Sequence, residues 1–149
     1  YTTLFRSRLK PVLQSIRALK KAGVWLELTT LIIPEENDDP GELREIAEFI
    51  ASIGPETPWH LSAFHPSYRK TDRRPTPAQT LFKARDIGRE AGLHYVYCGN
   101  IPSGETRHTY CPGCGQKLID RSMGQAVLEG LQDGRCSSCR EVPAGVGMG

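Results

Sequence analysis

Residues 24–33 have the sequence VWLELTTLII, a run of β-branched and apolar residues that ends at Pro34. A short apolar run of this kind predicts a strand that is buried in a sheet. Residues 59–64, WHLSAF, predict a second strand, and residues 94–98, HYVYC, predict a third. The first two-thirds of the chain therefore carries three short strands.

A helical pattern precedes each of these strands. From Leu9 to Ala22 apolar residues recur at helical spacing, and Gly23 ends the run. The second helix is predicted to begin at residues 39–42, Asp-Pro-Gly-Glu, which supply an N-cap, a proline at the first helical position and an acidic third residue. Residues 76–79, Thr-Pro-Ala-Gln, repeat this capping pattern for a third helix.

Alternating helices and strands predict an α/β fold with parallel strands and crossover helices. Three such units occupy residues 9–102, which is short for a complete doubly wound domain. The expected architecture is therefore the C-terminal half of a β/α barrel followed by a small metal-binding tail.

Two cysteine pairs predict that tail, namely Cys111-Pro-Gly-Cys114 and Cys136-Ser-Ser-Cys139. Two C-x-x-C pairs at this separation are typical of a four-thiolate metal site. Gly115 follows the first pair, where a positive φ lets backbone N–H groups point at the sulfurs, whereas Arg140 holds that place in the second pair. We predict Cys111, Cys114, Cys136 and Cys139 as metal ligands.

Zinc is the favoured ion for this site, and the metal is expected to be structural because four cysteines leave no open coordination position. A rubredoxin-like iron site with an electron-transfer role is a weaker alternative. A pair of disulfides is disfavoured, because the sequence shows no signal peptide and reducing compartments rarely keep disulfides.

Composition argues against several other classes of function. The 149-residue chain has a net charge of +2, which gives no electrostatic signature of nucleic-acid binding. No apolar run approaches the length of a membrane span. The cysteine usage fits a cytoplasmic protein.

Candidate ligand-binding residues lie where the predicted strands end, because parallel α/β folds bind ligands at the carboxyl ends of their strands. His65, locked by Pro66, is the sharpest candidate, although it is also compatible with a loop histidine that bonds to the backbone. Asn37 and Asp38 follow the first strand and are equally compatible with an Asx turn. Asn100 follows the third strand and is compatible with a simple turn.

Other residues have ordinary interpretations. The basic loop of residues 68–74 is expected to be solvated, with an anionic substrate or partner as the functional alternative. His60 and His94 are interpreted as partly buried strand residues, and Cys98 as a small buried hydrophobe.

Several motifs together resemble those of radical S-adenosylmethionine enzymes related to the pyruvate formate-lyase activating enzyme. They are residues 23–34, the Asn37-Asp38 pair and residues 59–66, WHLSAFHP. Residues 95–102, YVYCGNIP, together with the cysteine pairs, are similar to the radical S-adenosylmethionine protein of the AmmeMemoRadiSam system.

The resemblance implies a partial (β/α)6 barrel with a [4Fe–4S] cluster that reductively cleaves S-adenosylmethionine to a 5′-deoxyadenosyl radical. It implies that His65 contacts S-adenosylmethionine. It implies less strongly that Asn37 and Asp38, in the loop that faces the same site, also contact it. The substrate, a small molecule or a partner protein, is not implied. The C-x-x-x-C-x-x-C cluster motif is absent from this sequence.

We therefore expect a C-terminal fragment of a radical S-adenosylmethionine oxidoreductase or activase, with no catalytic residue of its own and no activity alone. Its expected parts are a non-native or truncated leader (residues 1–8), half of the barrel (9–102) and a zinc-ribbon-like module (103–149). The alternative is a stand-alone zinc-ribbon module that binds protein or nucleic acid.

Overall fold

A computed structural model describes residues 8–102, 104–122 and 124–146. The predicted leader, apart from Arg8, lies outside the described residues, as do residues 103, 123 and 147–149 of the predicted C-terminal module.

Three helices and three strands alternate in the first part of the chain. In order they are α1 (Leu9–Lys21), β1 (Leu28–Ile32), α2 (Pro40–Ile53), β2 (Trp59–Ala63), α3 (Ala78–Glu90) and β3 (Val96–Gly99). The strands are parallel, with β2 in the centre of the order β1-β2-β3. Thr29 is in register with His60, and His60 with Tyr97. The predicted parallel crossovers are therefore confirmed.

The starts of α2 and α3 show how local sequence sets helix boundaries. The Asp39 side chain accepts hydrogen bonds from the backbone N–H groups of Gly41 and Glu42, so the predicted cap of α2 is confirmed. The predicted cap of α3 is wrong, because Pro77 occupies the N-cap position without a side-chain bond. The Thr76 hydroxyl is buried and bonds to the ends of β1 and β2 instead.

One face of the sheet is covered by α2 and α3. Trp59, Leu61 and Ala63 of β2 alternate onto that face and are at most 1% exposed. They pack in a single core with apolar residues of both helices, among them Leu43, Ala47, Ile50, Leu81 and Ala84. This packing leaves the intervening residues of each strand on the opposite face, which we call the open face.

The predicted half of a (β/α)6 barrel is wrong. The described residues form a three-stranded sheet in which β1 and β3 are edge strands, together with small antiparallel sheets in the tail. None of the residues described for α1 is buried, so this helix does not cover the sheet as a barrel helix would. The sequence pattern misleads because alternating helices and parallel strands are common to barrels and open sheets, and three units do not encode closure.

The tail is an antiparallel unit with its own small core. Its strands are β4 (Thr109–Tyr110), β5 (Lys117–Asp120), β6 (Val127–Leu128), β7 (Leu131–Gln132) and β8 (Arg135–Cys136). The first three form one sheet and the last two a hairpin. Leu118 and Ile119 pack with Cys111 and Cys136, while Leu131 covers them from one side. The apolar content of this unit is small, as expected for a module that depends on a metal.

The tail lies against the open face of the sheet, beside β3. The Tyr97 hydroxyl is 2.9 Å from the Thr109 hydroxyl, and the backbone N–H of Ala144 donates to the Tyr95 hydroxyl at 3.2 Å. Among the described residues, no helix is both long and apolar enough to traverse a bilayer.

Candidate functional site

The structure brings together the four cysteines of the two C-x-x-C pairs, which we call knuckles (residues 111–114 and 136–139). Their sulfur atoms lie within 4.8 Å of one another, which is close enough to hold a metal ion. The Cys111 and Cys139 sulfurs are 3.5 Å apart, and the Cys114 and Cys136 sulfurs are 3.6 Å apart. All four are free thiols rather than disulfides. The predicted pairing of the two knuckles in space is thus observed.

Backbone N–H groups surround the sulfur cluster. Each sulfur receives at least one of them, from Gly113, Cys114, Gln116, Ser138, Cys139 and Glu141. The bond from the backbone of Cys139 lowers the pKa of the Cys136 thiol to about 7, whereas burial and the neighbouring sulfurs hold the pKa values of the other three thiols above their ordinary value. Donors directed at sulfur stabilise the thiolates that bind metals, so the donor set suits a cation.

The two knuckles have the same backbone shape despite their different sequences. Gly115 and Arg140 occupy equivalent positions with φ of 76° and 65°. Each donates its backbone N–H back to the first cysteine of its knuckle, at 2.9 Å. Arg140 thus takes a left-handed conformation that a non-glycine residue adopts at a cost of roughly 1 kcal/mol.

His108 precedes the first knuckle but is not a ligand in this arrangement. Its ring is buried, and Nδ1 accepts the backbone N–H of Arg121 at 3.0 Å. Its Nε2 is 3.8 Å from the Asp120 carboxylate. His108 therefore anchors the turn after β5.

The carboxyl ends of β2 and β3 meet at His65 and Asn100. His65 Nε2 is 3.0 Å from the backbone carbonyl of Asn100, and the Asn100 amide donates to the Ser62 hydroxyl at 3.0 Å. Asn100 has a φ of 59°, a left-handed backbone conformation, and its carbonyl faces His65. Because a carbonyl only accepts hydrogen bonds, His65 carries a proton on Nε2, and in the neutral ring Nδ1 is an acceptor.

Asn37 and Asp38 hold the loop after β1. The Asn37 amide accepts from the backbone N–H of Ile33 at 2.7 Å and donates to the carbonyl of Leu31 at 2.9 Å. The Asp38 carboxylate accepts from the N–H of Glu35 at 2.8 Å, where φ is 66°. Both side chains thus make the local turn contacts that the sequence also allowed.

The basic loop of residues 68–74 is tied to the same edge of the sheet. Lys70 is ion-paired with Glu36, and Arg73 lies 3.4 Å from the same carboxylate oxygen. The Lys70 bond lowers the pKa of Glu36. These contacts join the loop after β1 to the loop after β2.

A polar network on the open face was missed from the sequence. The Glu27 carboxylate accepts from the Trp25 indole at 3.1 Å and lies 2.8 Å from His60 Nε2. The Trp25 bond and, after it, the His60 bond lower the pKa of Glu27. His60 stacks on Tyr97 with the ring centres 5.1 Å apart, and burial raises the pKa of Tyr97.

Arg121 of the tail completes this network. Its guanidinium lies over the Tyr97 ring at 5.6 Å and donates to the Thr109 hydroxyl at 2.7 Å. The alternation of strand residues places Glu27, His60 and Tyr97 on one face, so this half of the network could have been predicted from the sequence. The position of Arg121 could not, because it depends on how the tail packs against the sheet.

A cavity of about 800 Å³ lies between the open face and the tail. Both parts contribute to its lining, among them Trp25, Glu27, His60, Tyr97, Arg107 and Arg121. Cys98 also borders the cavity, but it is 1% exposed and burial raises the pKa of its thiol to about 11. Its interpretation as a small buried residue is confirmed. His94, in contrast, is exposed and precedes β3.

An uncharacterized protein of Methanocaldococcus jannaschii is 44% identical to the chain over 144 residues. The match covers 95% of this chain, so it extends through both the parallel sheet and the tail. The chain spans only 43% of the length of this curated relative. No protein-family model matches the chain.

Proposed function

We propose that this chain is part of a longer radical S-adenosylmethionine enzyme and that its tail is a structural zinc module. The observation that carries the first proposal is the position of His65. This residue belongs to the motif that resembles the family, and it lies at the carboxyl edge of β2 in contact with the end of β3. Parallel α/β folds bind their ligands at this edge.

The role of His65 in this proposal is to bind S-adenosylmethionine. Its Nε2 is engaged by the Asn100 carbonyl, which fixes the ring, while its side chain is exposed. A fixed and accessible ring presents Nδ1 as a hydrogen-bond acceptor. Asn37 and Asp38 support the binding edge by holding the loop after β1, and their direct contact with the cofactor stays a prediction.

When bound, a [4Fe–4S] cluster supplies the electron that cleaves S-adenosylmethionine. The described residues do not fit that cluster. Their one cluster of metal-ligand type is the four-cysteine group, whose sulfurs surround a space for a single ion. A four-iron cluster places a separate iron at each cysteine and needs more widely spaced sulfurs. Its ligands would therefore come from residues beyond this chain.

The test uses the longer polypeptide that contains this chain, purified and reconstituted without oxygen. We expect it to contain a C-x-x-x-C-x-x-C motif and to release 5′-deoxyadenosine from S-adenosylmethionine when dithionite is added. His65→Ala should weaken S-adenosylmethionine binding at least tenfold. The matched control is His94→Ala, which removes an exposed histidine away from this edge. A longer polypeptide without the motif and without deoxyadenosine release would rule out the proposal.

The second proposal, structural zinc, rests on the spacing of the sulfurs. Four zinc–sulfur bonds of about 2.3 Å in a tetrahedron place the sulfurs about 3.8 Å apart. Two of the sulfur pairs are 3.5 and 3.6 Å apart, and all four atoms lie within 4.8 Å of one another. The test is the metal content of the purified chain, for which we expect one zinc per chain. A red protein that contains iron would instead support the rubredoxin-like alternative.

The stand-alone zinc-ribbon module remains the second candidate function, because the four-cysteine cluster supports it equally well. Exposed apolar side chains on the tail, Val127 and Leu128, also suit a protein-binding role. The two candidates differ in their requirement for S-adenosylmethionine. Binding of S-adenosylmethionine that depends on His65 would favour the enzyme.

A further inference from the structure

We propose that the cavity between the open face and the tail binds a small organic anion, and that Arg121 recognises its negatively charged group. This inference deepens the proposed function, since the ligand would be the substrate. The binding step itself does not depend on that function. The cavity extends along the open face as far as Ser62, whose hydroxyl accepts from the Asn100 amide, so it borders the contact between His65 and Asn100.

The size and lining of the cavity suit a small molecule. Its volume of about 800 Å³ falls within the usual range of ligand pockets, roughly 300–1,000 Å³. Three aromatic side chains, Trp25, Tyr95 and Tyr97, provide apolar walls. Ligand pockets commonly combine walls of this kind with a few fixed polar groups.

Two guanidinium groups border the cavity without a carboxylate partner among the described residues. Arg107 donates to the backbone carbonyl of Ile101 at 2.6 Å. Arg121 donates to the carbonyl of Arg107 at 3.0 Å and to the Thr109 hydroxyl. These partners are neutral, so both positive charges remain available to an anion.

Glu27 is the one carboxylate among the described residues of the lining, and both of its oxygens already have partners. One of its oxygens accepts from the Trp25 indole and the other lies against His60. Arg121 also lowers the pKa of Glu27 slightly, so the two groups attract each other through space. The two groups do not form an ion pair, so Glu27 does not occupy the Arg121 guanidinium by direct contact.

Arg121 is held in place before any ligand arrives. The bonds to Thr109 and Arg107 fix one nitrogen, and the guanidinium plane lies over the Tyr97 ring. A guanidinium that is fixed in this way loses little side-chain entropy when it binds a carboxylate. His60, held by Glu27 and stacked on Tyr97, is a second oriented group in the same network.

The test measures binding of benzoate and of its uncharged counterpart benzamide to the metal-loaded chain. Trp25 lines the cavity, whereas Trp59 is fully buried on the other face and bonds to Thr30, so quenching of tryptophan fluorescence reports on the cavity. We expect saturable quenching by benzoate and at least tenfold weaker binding of benzamide. Trp25→Phe should abolish the signal.

Arg121→Gln should weaken benzoate binding at least tenfold. The matched control, Arg89→Gln, removes an exposed arginine of α3 and should leave binding unchanged. Arg121→Lys keeps the charge and should retain part of the affinity, which separates recognition from loss of folding. Equal binding of benzoate and benzamide, or no binding of either, would overturn the proposal.

A last pair of measurements distinguishes failure of this inference from failure of the proposed function. S-adenosylmethionine also carries a carboxylate, and competition between it and benzoate that depends on Arg121 would overturn the substrate role. Failure of deoxyadenosine release in the longer polypeptide, with benzoate binding intact, would instead remove the proposed function and leave the anion site.

Discussion

The hydroxyl of Thr76 donates a 2.6 Å hydrogen bond to the backbone carbonyl of Ile32 at the carboxyl end of β1. The same oxygen accepts the backbone N–H of Phe64 at 2.9 Å, just beyond β2. Thr76 itself is 5% exposed. One side chain thus joins the ends of two strands directly before His65, and it fixes the edge that carries the proposed cofactor contact.

Thr76→Val should therefore destabilise the fold by about 1 kcal/mol, because it keeps the shape but leaves the Phe64 N–H and the Ile32 carbonyl with only their direct 3.3 Å bond to each other. Thr76→Ser keeps the hydroxyl and should recover most of that loss. The measurement is the free energy of unfolding in urea. Thr71→Val is the control, since Thr71 is exposed in the loop. Equal free energies of unfolding for Thr76→Val, Thr76→Ser and Thr71→Val would contradict the role of the Thr76 hydroxyl.

Cys136→Ser should abolish stoichiometric zinc binding and unfold the tail. Cys136 is one of the four sulfurs and also part of the tail's own core. The parallel sheet has a separate core, so its thermal transition should persist. Metal analysis and circular dichroism measure the two effects. Cys98→Ala removes a cysteine outside the cluster and should keep one zinc per chain. Unchanged metal content in Cys136→Ser would contradict the four-cysteine site.

Cys98 should resist alkylation in the folded protein. With a pKa of about 11, only about one thiol in a thousand is ionised at pH 8, and the side chain is 1% exposed. Peptide mapping after iodoacetamide treatment should find Cys98 unmodified before denaturation and modified after it. Modification of native Cys98 at the rate of a free thiol would show that this strand opens readily.

The sequence predicted the features that depend on neighbouring residues. The cap at Asp39, the order of helices and strands, and the two cysteine knuckles all follow from short spacings. The number of strands in the sheet and the role of Thr76 depend on contacts between distant residues. Thr76 has good capping chemistry, yet its hydroxyl bonds instead to the backbone carbonyl of Ile32 in β1 and to the backbone N–H of Phe64 just after β2.

In the candidate site, too, local patterns were predictable from the sequence, and contacts between distant residues were not. Motif resemblance located His65, but its partner Asn100 is 35 residues away and could be placed only by strand pairing. Strand alternation allowed His60 and Tyr97 to share a face, whereas their stacking required the register of β2 and β3. The packing of Arg121 on Tyr97 joins the tail to the parallel sheet, and no local sequence pattern predicts such a contact.

Gly130→Ala should destabilise the tail. A Cβ at this position would lie 2.2 Å from the backbone carbonyl oxygen of Lys117, so the backbone must shift. Overpacking of this kind costs about 1–3 kcal/mol, and it should lower the zinc affinity because Gly130 also accepts the N–H of Ser137. Gly104→Ala is the control, since a Cβ there meets no atom within 4 Å. Chelator competition compares their zinc affinities, and equal values would contradict the close approach.

Acid should weaken the attachment of α1 through Glu56. Its carboxylate is 2.7 Å from the Lys20 amine, which also donates to the Thr57 hydroxyl at 3.0 Å. The Lys20 bond lowers the pKa of Glu56 below its ordinary value. A folded-state pKa below that of the unfolded state gives stability that is present at higher pH and lost as the pH falls through the folded value.

The contribution should be at most about 1 kcal/mol, because the Glu56 side chain is one-third exposed and solvent screens the pair. It should be complete at neutral pH and begin to decline once the pH falls below the ordinary glutamate pKa of about 4.3. Glu56→Gln should therefore be less stable than the parent protein at pH 7 and match it more closely at pH 3. Glu45→Gln, at an exposed position of α2, should follow the parent at both values. Urea unfolding at the two pH values measures the difference, and a constant gap between Glu56→Gln and the parent would show that the ion pair does not hold α1.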